Sequence, residues 1–127
     1  MKKSIAIALL FLVALAGCSS QEVKMTTLDS QQAHSTFISS SDIVLVDVRT
    51  VAEFKEGHIK DSVNVPLDQL KTNIASVVEN KDTPIYVVCR SGNRSAQAQS
   101  MLQAMGYTQV IDIGSVFDWP DPLSTSQ

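Results

Sequence analysis

Cys89 opens the stretch Cys89-Arg90-Ser91-Gly92-Asn93-Arg94-Ser95, directly after the apolar run Ile85-Tyr86-Val87-Val88. A thiol in that position sits at the carboxyl end of a buried strand, ahead of a tight loop and a helix start. Loop amides and a helix N-terminus both favour negative charge, so the sulfur is expected as a reactive thiolate. A free thiol, with a reference pKa of about 8.5, is mostly protonated near neutrality. Lowering that value by about two units requires about 2.7 kcal/mol of preferential anion stabilisation. The backbone N–H groups of residues 90–95 can curl around the sulfur, and Gly92 permits the tight path. The helix after Ser95 adds its dipole, and Arg90 and Arg94 bring full positive charge. The same features would bind a small oxyanion, so nucleophile and anionic substrate would share one cradle.

A second polar cluster, Asp47-Val48-Arg49, follows another continuous apolar run, Ile43-Val44-Leu45-Val46. Such runs read as strands covered on both faces. Further strands are expected over Val23–Thr26, Ser62–Val65 and Val110–Ile113. Between them lie helical signals. Asp29 or Ser30 can cap a helix carrying Ala33, Phe37 and Ile38. Thr50 and Glu53 make a capping box for a short helix through Phe54, stopped by Gly57. Leu67, Leu70, Ile74, Val77 and Val78 follow helical spacing, as do Ala98, Met101, Leu102 and Met105 on a helix ended by Gly106. Gly114 to Trp119 could add one more helical turn. The alternation predicts an α/β domain with a central, mostly parallel, five-stranded sheet and helices on both faces. Ligands bind such sheets beyond the carboxyl ends of the strands, so Asp47, Arg49 and the Cys89–Arg94 stretch could share a pocket.

The chain has 127 residues, which suits one domain, and a net charge of −3. Acidic balance argues against nucleic acid or an anionic membrane surface as the main partner. The first residues stand apart: a basic start, Met1-Lys2-Lys3, an apolar run from Ile5 to Ala16, then Leu15-Ala16-Gly17-Cys18. This has the layout of a secretory signal. The small residues leading into Cys18 resemble the lipobox of bacterial lipoproteins. That resemblance implies a signal peptide over 1–17, a lipidated Cys18 with a short tether to residue 23, a domain over 24–119 and a loose tail over 120–127. It also implies a location in the bacterial cell envelope, lipid-anchored with the domain outside the cytoplasm. Ser19 favours an outer membrane, and the lipid is then the membrane contact. With Cys18 acylated, Cys89 is the one thiol left, and no internal disulfide can form.

Taken together, the motifs resemble the rhodanese (thiosulfate sulfurtransferase) family. Asp47-Val48-Arg49 is similar to the family's Asp-Val-Arg. Glu53-Phe54, Gly57-His58-Ile59 and Asn64-Val65-Pro66 resemble its Glu-Phe…Gly-His-Ile…Asn-Ile-Pro signature. Cys89 to Arg94 matches its active loop of Cys, four residues and Arg. Gly114 through Trp119 resembles a Gly-Gly…Trp ending, with Ser115 in place of the second Gly. Val63 replaces a small residue, and Ser62 stands where Gly or Asp is usual. The resemblance covers about residues 24–119. It implies a rhodanese-like fold and an enzyme that takes the outer sulfur of thiosulfate, or a related donor, onto Cys89 as a persulfide. Sulfite leaves, and a thiol or cyanide accepts the sulfur. No metal or organic cofactor is implied. Thiosulfate is expected over mercaptopyruvate, because the loop Cys-Gly-Ser-Gly-Val-Thr of the family's mercaptopyruvate enzymes is absent.

Two other functions compete. A lipid-anchored sulfur carrier or binding module would also keep Cys89. Phosphatases and arsenate reductases use a Cys-to-Arg anion loop too, but with five intervening residues around a tetrahedral oxyanion. Here Arg94 arrives after four, which suits a single extra sulfur better than phosphate. The remaining candidates divide by chemistry. Arg94 could tie the loop to the domain or face the sulfur. Arg90 could contact substrate or point to solvent. Arg49 reads as an internal ion-pair partner of Asp47 or Glu53 more than as a substrate ligand. His58 reads as a structural hydrogen-bonding residue, His34 as an uninvolved surface residue, Trp119 as end-of-domain packing, and Met101 and Met105 as core.

Overall fold

A computed structural model describes residues 27–126. Four parallel strands form one sheet: β1 (Val44–Asp47), β2 (Val63–Asn64), β3 (Ile85–Cys89) and β4 (Val110–Ser115), in the order β2-β1-β3-β4. Val44 aligns with Ile85 and Asp47 with Val88, so β1 and β3 end level with each other. The sheet therefore has four strands among the described residues, not five. The expected first strand, Val23–Thr26, lies outside them. Thr27 makes an isolated parallel bridge to Asp112, at the β4 edge.

The helices follow their sequence signals. Helix α1 (Ser30–Ser39) starts on Asp29, whose carboxylate accepts from the amides of Gln31 and Gln32. Helix α2 (Val51–Glu56) has the full Thr50–Glu53 capping box. Helix α3 (Leu70–Val77) follows a short 3₁₀ turn over Leu67–Gln69. Helix α4 (Asn93–Ala104) starts two residues before Ser95, not after it. A second 3₁₀ turn, Val116–Asp118, follows β4.

Alternation along the central strands sorts side chains into two cores. Val46 and Val87 face Leu70, Ile74, Ala98 and Leu102 of α3 and α4, with Met101 and Met105 packed at the margin. Leu45, Tyr86 and Val88 face Ala33 of α1, together with Ile113, Val116 and Trp119. Both faces of β1 and β3 are covered, which is why their sequences are apolar without a break. Each fully buried aliphatic side chain contributes about 1.5–3 kcal/mol by its removal from water.

The C-terminal segment is docked, contrary to the expectation of a loose tail. Ser124 and His58 exchange backbone hydrogen bonds of 2.7 and 2.9 Å. Leu123 packs against Gly57 so closely that a Cβ there would lie 3.3 Å from the Leu123 Cβ. His34, expected to be uninvolved, reaches Asp121 at 2.8 Å and lies edge-on to Trp119. His58 is buried, stacks on Phe54, and places its ring nitrogens against the carbonyls of Phe54 and Ser126. It is the structural hydrogen-bonding residue that its position suggested.

The buried pair Asp47–Arg49 braces the carboxyl end of β1. The Arg49 guanidinium donates to both carboxylate oxygens, at 3.0 Å to Oδ1 and 2.7 Å to Oδ2, and to the Gly57 carbonyl at 2.7 Å. Truncating Arg49 to Ala leaves the Asp47 carboxylate buried without its counter-charge. A stability loss of about 3–5 kcal/mol is expected, read from denaturant unfolding at neutral pH.

Candidate active site

Strand β3 delivers Cys89 to the carboxyl edge of the sheet, and α4 begins at Asn93, so only Arg90, Ser91 and Gly92 join them. So short a turn needs one residue in the left-handed region. Gly92 supplies it, with φ of +91°. This backbone folds the Gly92 N–H back onto the Cys89 sulfur at 3.0 Å. Among the amides of residues 90–95 it is Gly92 whose N–H is bonded to the sulfur; the expected ring of amides is reduced to that one. The thiol also donates to the Ser95 hydroxyl at 3.4 Å, and Ser95 donates to the Gly92 carbonyl at 3.1 Å. Ser95 thus lies in the first turn of α4, buried, and closes the far side of the turn.

Strand β4 supports the turn from the other side. Pairing shifts register after Val87–Asp112, so that Cys89 aligns with Ser115. The Asp112 carboxylate accepts from the Gly114 amide at 2.9 Å, and Gly114 adopts a left-handed φ of +81°. Ser115 then donates its hydroxyl proton to the Arg90 carbonyl. Such irregularities at strand ends re-aim the chain beside a site.

The two loop arginines have different fates. Arg94 forms a two-pronged ion pair with Glu53 of α2, at 2.7 and 2.8 Å. These contacts hold the Glu53 carboxyl down at about 2, against the pull of partial burial, and raise the Arg94 guanidinium further. Arg94 therefore ties the loop to α2. Arg90 is exposed and, among the described residues, makes no ion pair. Its guanidinium carbon lies 5.5 Å from the centre of the Phe117 ring. Ser91 and Asn93 are exposed, and the Asn93 side chain accepts from Gln97 along the helix surface, at 3.0 Å.

Asp47 and Arg49 do not line a pocket with Cys89. Both are buried, and each is occupied by the other and by the backbone. Strand register brings them level with the β3 end, and their mutual pairing, which the sequence offered as one of two options for Arg49, removes them from the solvent side. Two residues that sequence reasoning passed over belong to the site: Ser115, read only as a departure in a glycine pattern, and the exposed Phe117. Cys18 lies outside the described residues. No metal-binding cluster of His, Cys, Asp or Glu occurs among those described. A cavity of about 760 Å³ between α1 and Trp119 includes none of residues 89–95 in its lining, so its size marks no chemistry.

Cys89 exposes none of its surface. The Gly92 amide of the turn and the Ser95 hydroxyl both lie against the sulfur, so a solute meets the thiol only when its surroundings move. The two anchors of the turn differ in strength. The Glu53–Arg94 pair is charge-assisted and bidentate, whereas the Ser115 hydrogen bond is single and exposed.

Residues 30–120 match the rhodanese-like domain family. The thiosulfate sulfurtransferase PspE of Escherichia coli is 36% identical over 73 residues, covering 58% of this chain and 70% of that protein. A sulfurtransferase of Allochromatium vinosum is 33% identical over 93 residues, covering 72% of this chain and 85% of that protein. A structure described as rhodanese with anions from E. coli superposes with a TM-score of 0.63 at 32% identity, over 66% of this chain and 99% of that one.

The Glu53–Arg94 pair sets an acid limit for the site. A carboxyl lowered in the folded state contributes stability above its unfolded value, and that contribution fades as pH falls from the ordinary carboxylate range, near 4.5, toward about 2. Glu53→Gln is expected to lower the denaturant midpoint at pH 7 and to leave a much smaller difference from the wild type near pH 2. Equal midpoints at pH 7 would show that the pair holds nothing.

Proposed function

The chain belongs to the rhodanese-like domain family, and from that membership we propose that it is a thiosulfate sulfurtransferase working through a persulfide on Cys89. The observation that carries this reading is the Gly92 amide bonded to the sulfur of a cysteine at a strand end, with four residues between that cysteine and Arg94. The sulfurtransferase relatives support it, as does the relative whose structure holds anions.

The residues divide the work as follows. The Cys89 thiolate attacks the outer sulfur of thiosulfate. A sulfur–sulfur bond forms to Cys89, the donor's own sulfur–sulfur bond breaks, and its electron pair leaves with sulfite. The terminal sulfur of the persulfide carries the negative charge. Gly92 N–H offers a fixed hydrogen bond to the Cys89 sulfur without reorganisation, and Ser95 can turn its hydroxyl from the Gly92 carbonyl toward it. Arg90 meets the sulfonate and the departing sulfite, because Arg94 is held by Glu53. A second nucleophile, a thiolate or cyanide, then attacks the terminal sulfur and regenerates the Cys89 thiolate. Persulfide is a reversible state of reactive cysteines. The surroundings of the sulfur must move to admit the donor, since Cys89 is buried.

Independently of that chemistry, we propose from the sequence of residues 1–18 that the chain is held at a membrane. We take residues 1–17 as a lipoprotein signal and Cys18 as the acylated residue that anchors the domain outside the cytoplasm.

Thiosulfate with cyanide should give thiocyanate, and Cys89→Ser should abolish that turnover while unfolding at the same denaturant concentration. Intact-protein mass spectrometry after thiosulfate alone should show a gain of one sulfur, about 32 Da, confined to the Cys89 peptide. Retained turnover in Cys89→Ser refutes the nucleophile. Separately, Cys18→Ser should move the protein from the membrane pellet to the soluble fraction; a mutant that still sediments refutes the anchor.

A further inference from the structure

Phe117 leaves 60% of its surface exposed, although both sides of its 3₁₀ turn are fixed in the interior by Val116 and Trp119. The turn is therefore a firm mount that holds an aromatic ring outward. The one charged group described over that ring is the Arg90 guanidinium, 5.5 Å from its centre, within the range of a cation–π contact. The Ser115 hydroxyl joins the two ends of this contact. It accepts from the Phe117 amide at 3.1 Å, capping the turn that carries the ring, and it donates to the Arg90 carbonyl. One hydroxyl thus fixes both the ring and the backbone of the cation.

A ring differs from a carboxylate as a partner. It restrains the guanidinium while leaving its charge and its N–H donors unneutralised. Arg94, by contrast, has its charge answered by Glu53. Asp118 is exposed beside Phe117 but forms no ion pair with Arg90. We propose that Ser115 and Phe117 are positioning residues that hold Arg90 as an uncompensated charge over the entrance to Cys89, and so make the site select anionic sulfur donors over neutral ones. This deepens the sulfurtransferase reading and rests on it for the identity of the donor. The selection of charge itself rests only on the geometry of residues 89, 90, 115 and 117.

The test therefore uses reagents that need no sulfur chemistry. In the full-length protein at low ionic strength, Cys89 is alkylated by anionic iodoacetate and by neutral iodoacetamide. The thiolate displaces iodide in each case, and the rates are read on the Cys89 peptide by mass spectrometry. Phe117→Leu should lower the ratio of the iodoacetate to the iodoacetamide rate by about two- to fivefold, the factor that an exposed cation–π contact is worth. The iodoacetamide rate should not change. Ser115→Ala should lower the ratio as well, and added salt should shrink the difference between wild type and variants. An unchanged ratio in Phe117→Leu overturns the proposal. So does an equal change in both rates, which would report loosening of the loop and no charge selection. Wild-type Cys89 that neither reagent labels also overturns it. Where thiosulfate is turned over, Phe117→Leu should raise KM and keep kcat. A wild type with no turnover but a charge-dependent ratio refutes the donor reading and leaves the gate standing.

Discussion

The site depends on one constraint: a fully buried strand must pass into a helix in three residues. Strand β3 ends at Cys89 and α4 begins at Asn93. No L-residue takes easily to the left-handed backbone that this path needs, and Gly92 takes it at no steric cost. The geometry turns the Gly92 N–H toward the sulfur and lets Ser95 close the turn from the helix side. A longer loop would satisfy the chain as well, but it would not force an amide onto that sulfur.

Around this turn the positive charges are distributed by depth. Arg49 is buried and tied to Asp47, where it braces the end of β1. Arg94 lies at intermediate depth and locks α4 to α2 through Glu53. Arg90 is outermost, restrained by a ring and a hydroxyl and not by a carboxylate. The deeper pairs need their counter-ions because a buried lone charge is costly. The outermost needs none, since water solvates it, and its charge stays available to a solute. Three arginines close together in the fold thus have three roles, set by the dielectric in which each sits.

The docked C-terminal segment shows why sequence alone misjudged one end of the chain. Residues 120–126 have no periodic apolar pattern, and Pro120 and Pro122 argue against regular structure. What holds them is a set of contacts distant in sequence: Leu123 on Gly57, Ser124 on His58, and Asp121 on His34. Local propensity carries no record of such pairings. The same holds for Ser115, whose hydroxyl matters only because strand register brings it to Arg90.

Several features were legible before any coordinates. Unbroken apolar runs announced strands covered on both faces, the Thr50–Glu53 and Asp29 signals marked helix starts, and the residues after Ile85–Val88 marked a tight turn into a helix. These signals are local, because they depend on dihedral preferences and on side chains within a few residues of each other. Tertiary structure alone decided that Arg49 pairs with Asp47 and Arg94 with Glu53, that α4 begins inside the expected loop, and that Ser115 bonds Arg90 while Phe117 lies under its guanidinium. Those outcomes turn on which partner lies within hydrogen-bond reach once strands are in register, and sequence spacing does not encode that distance.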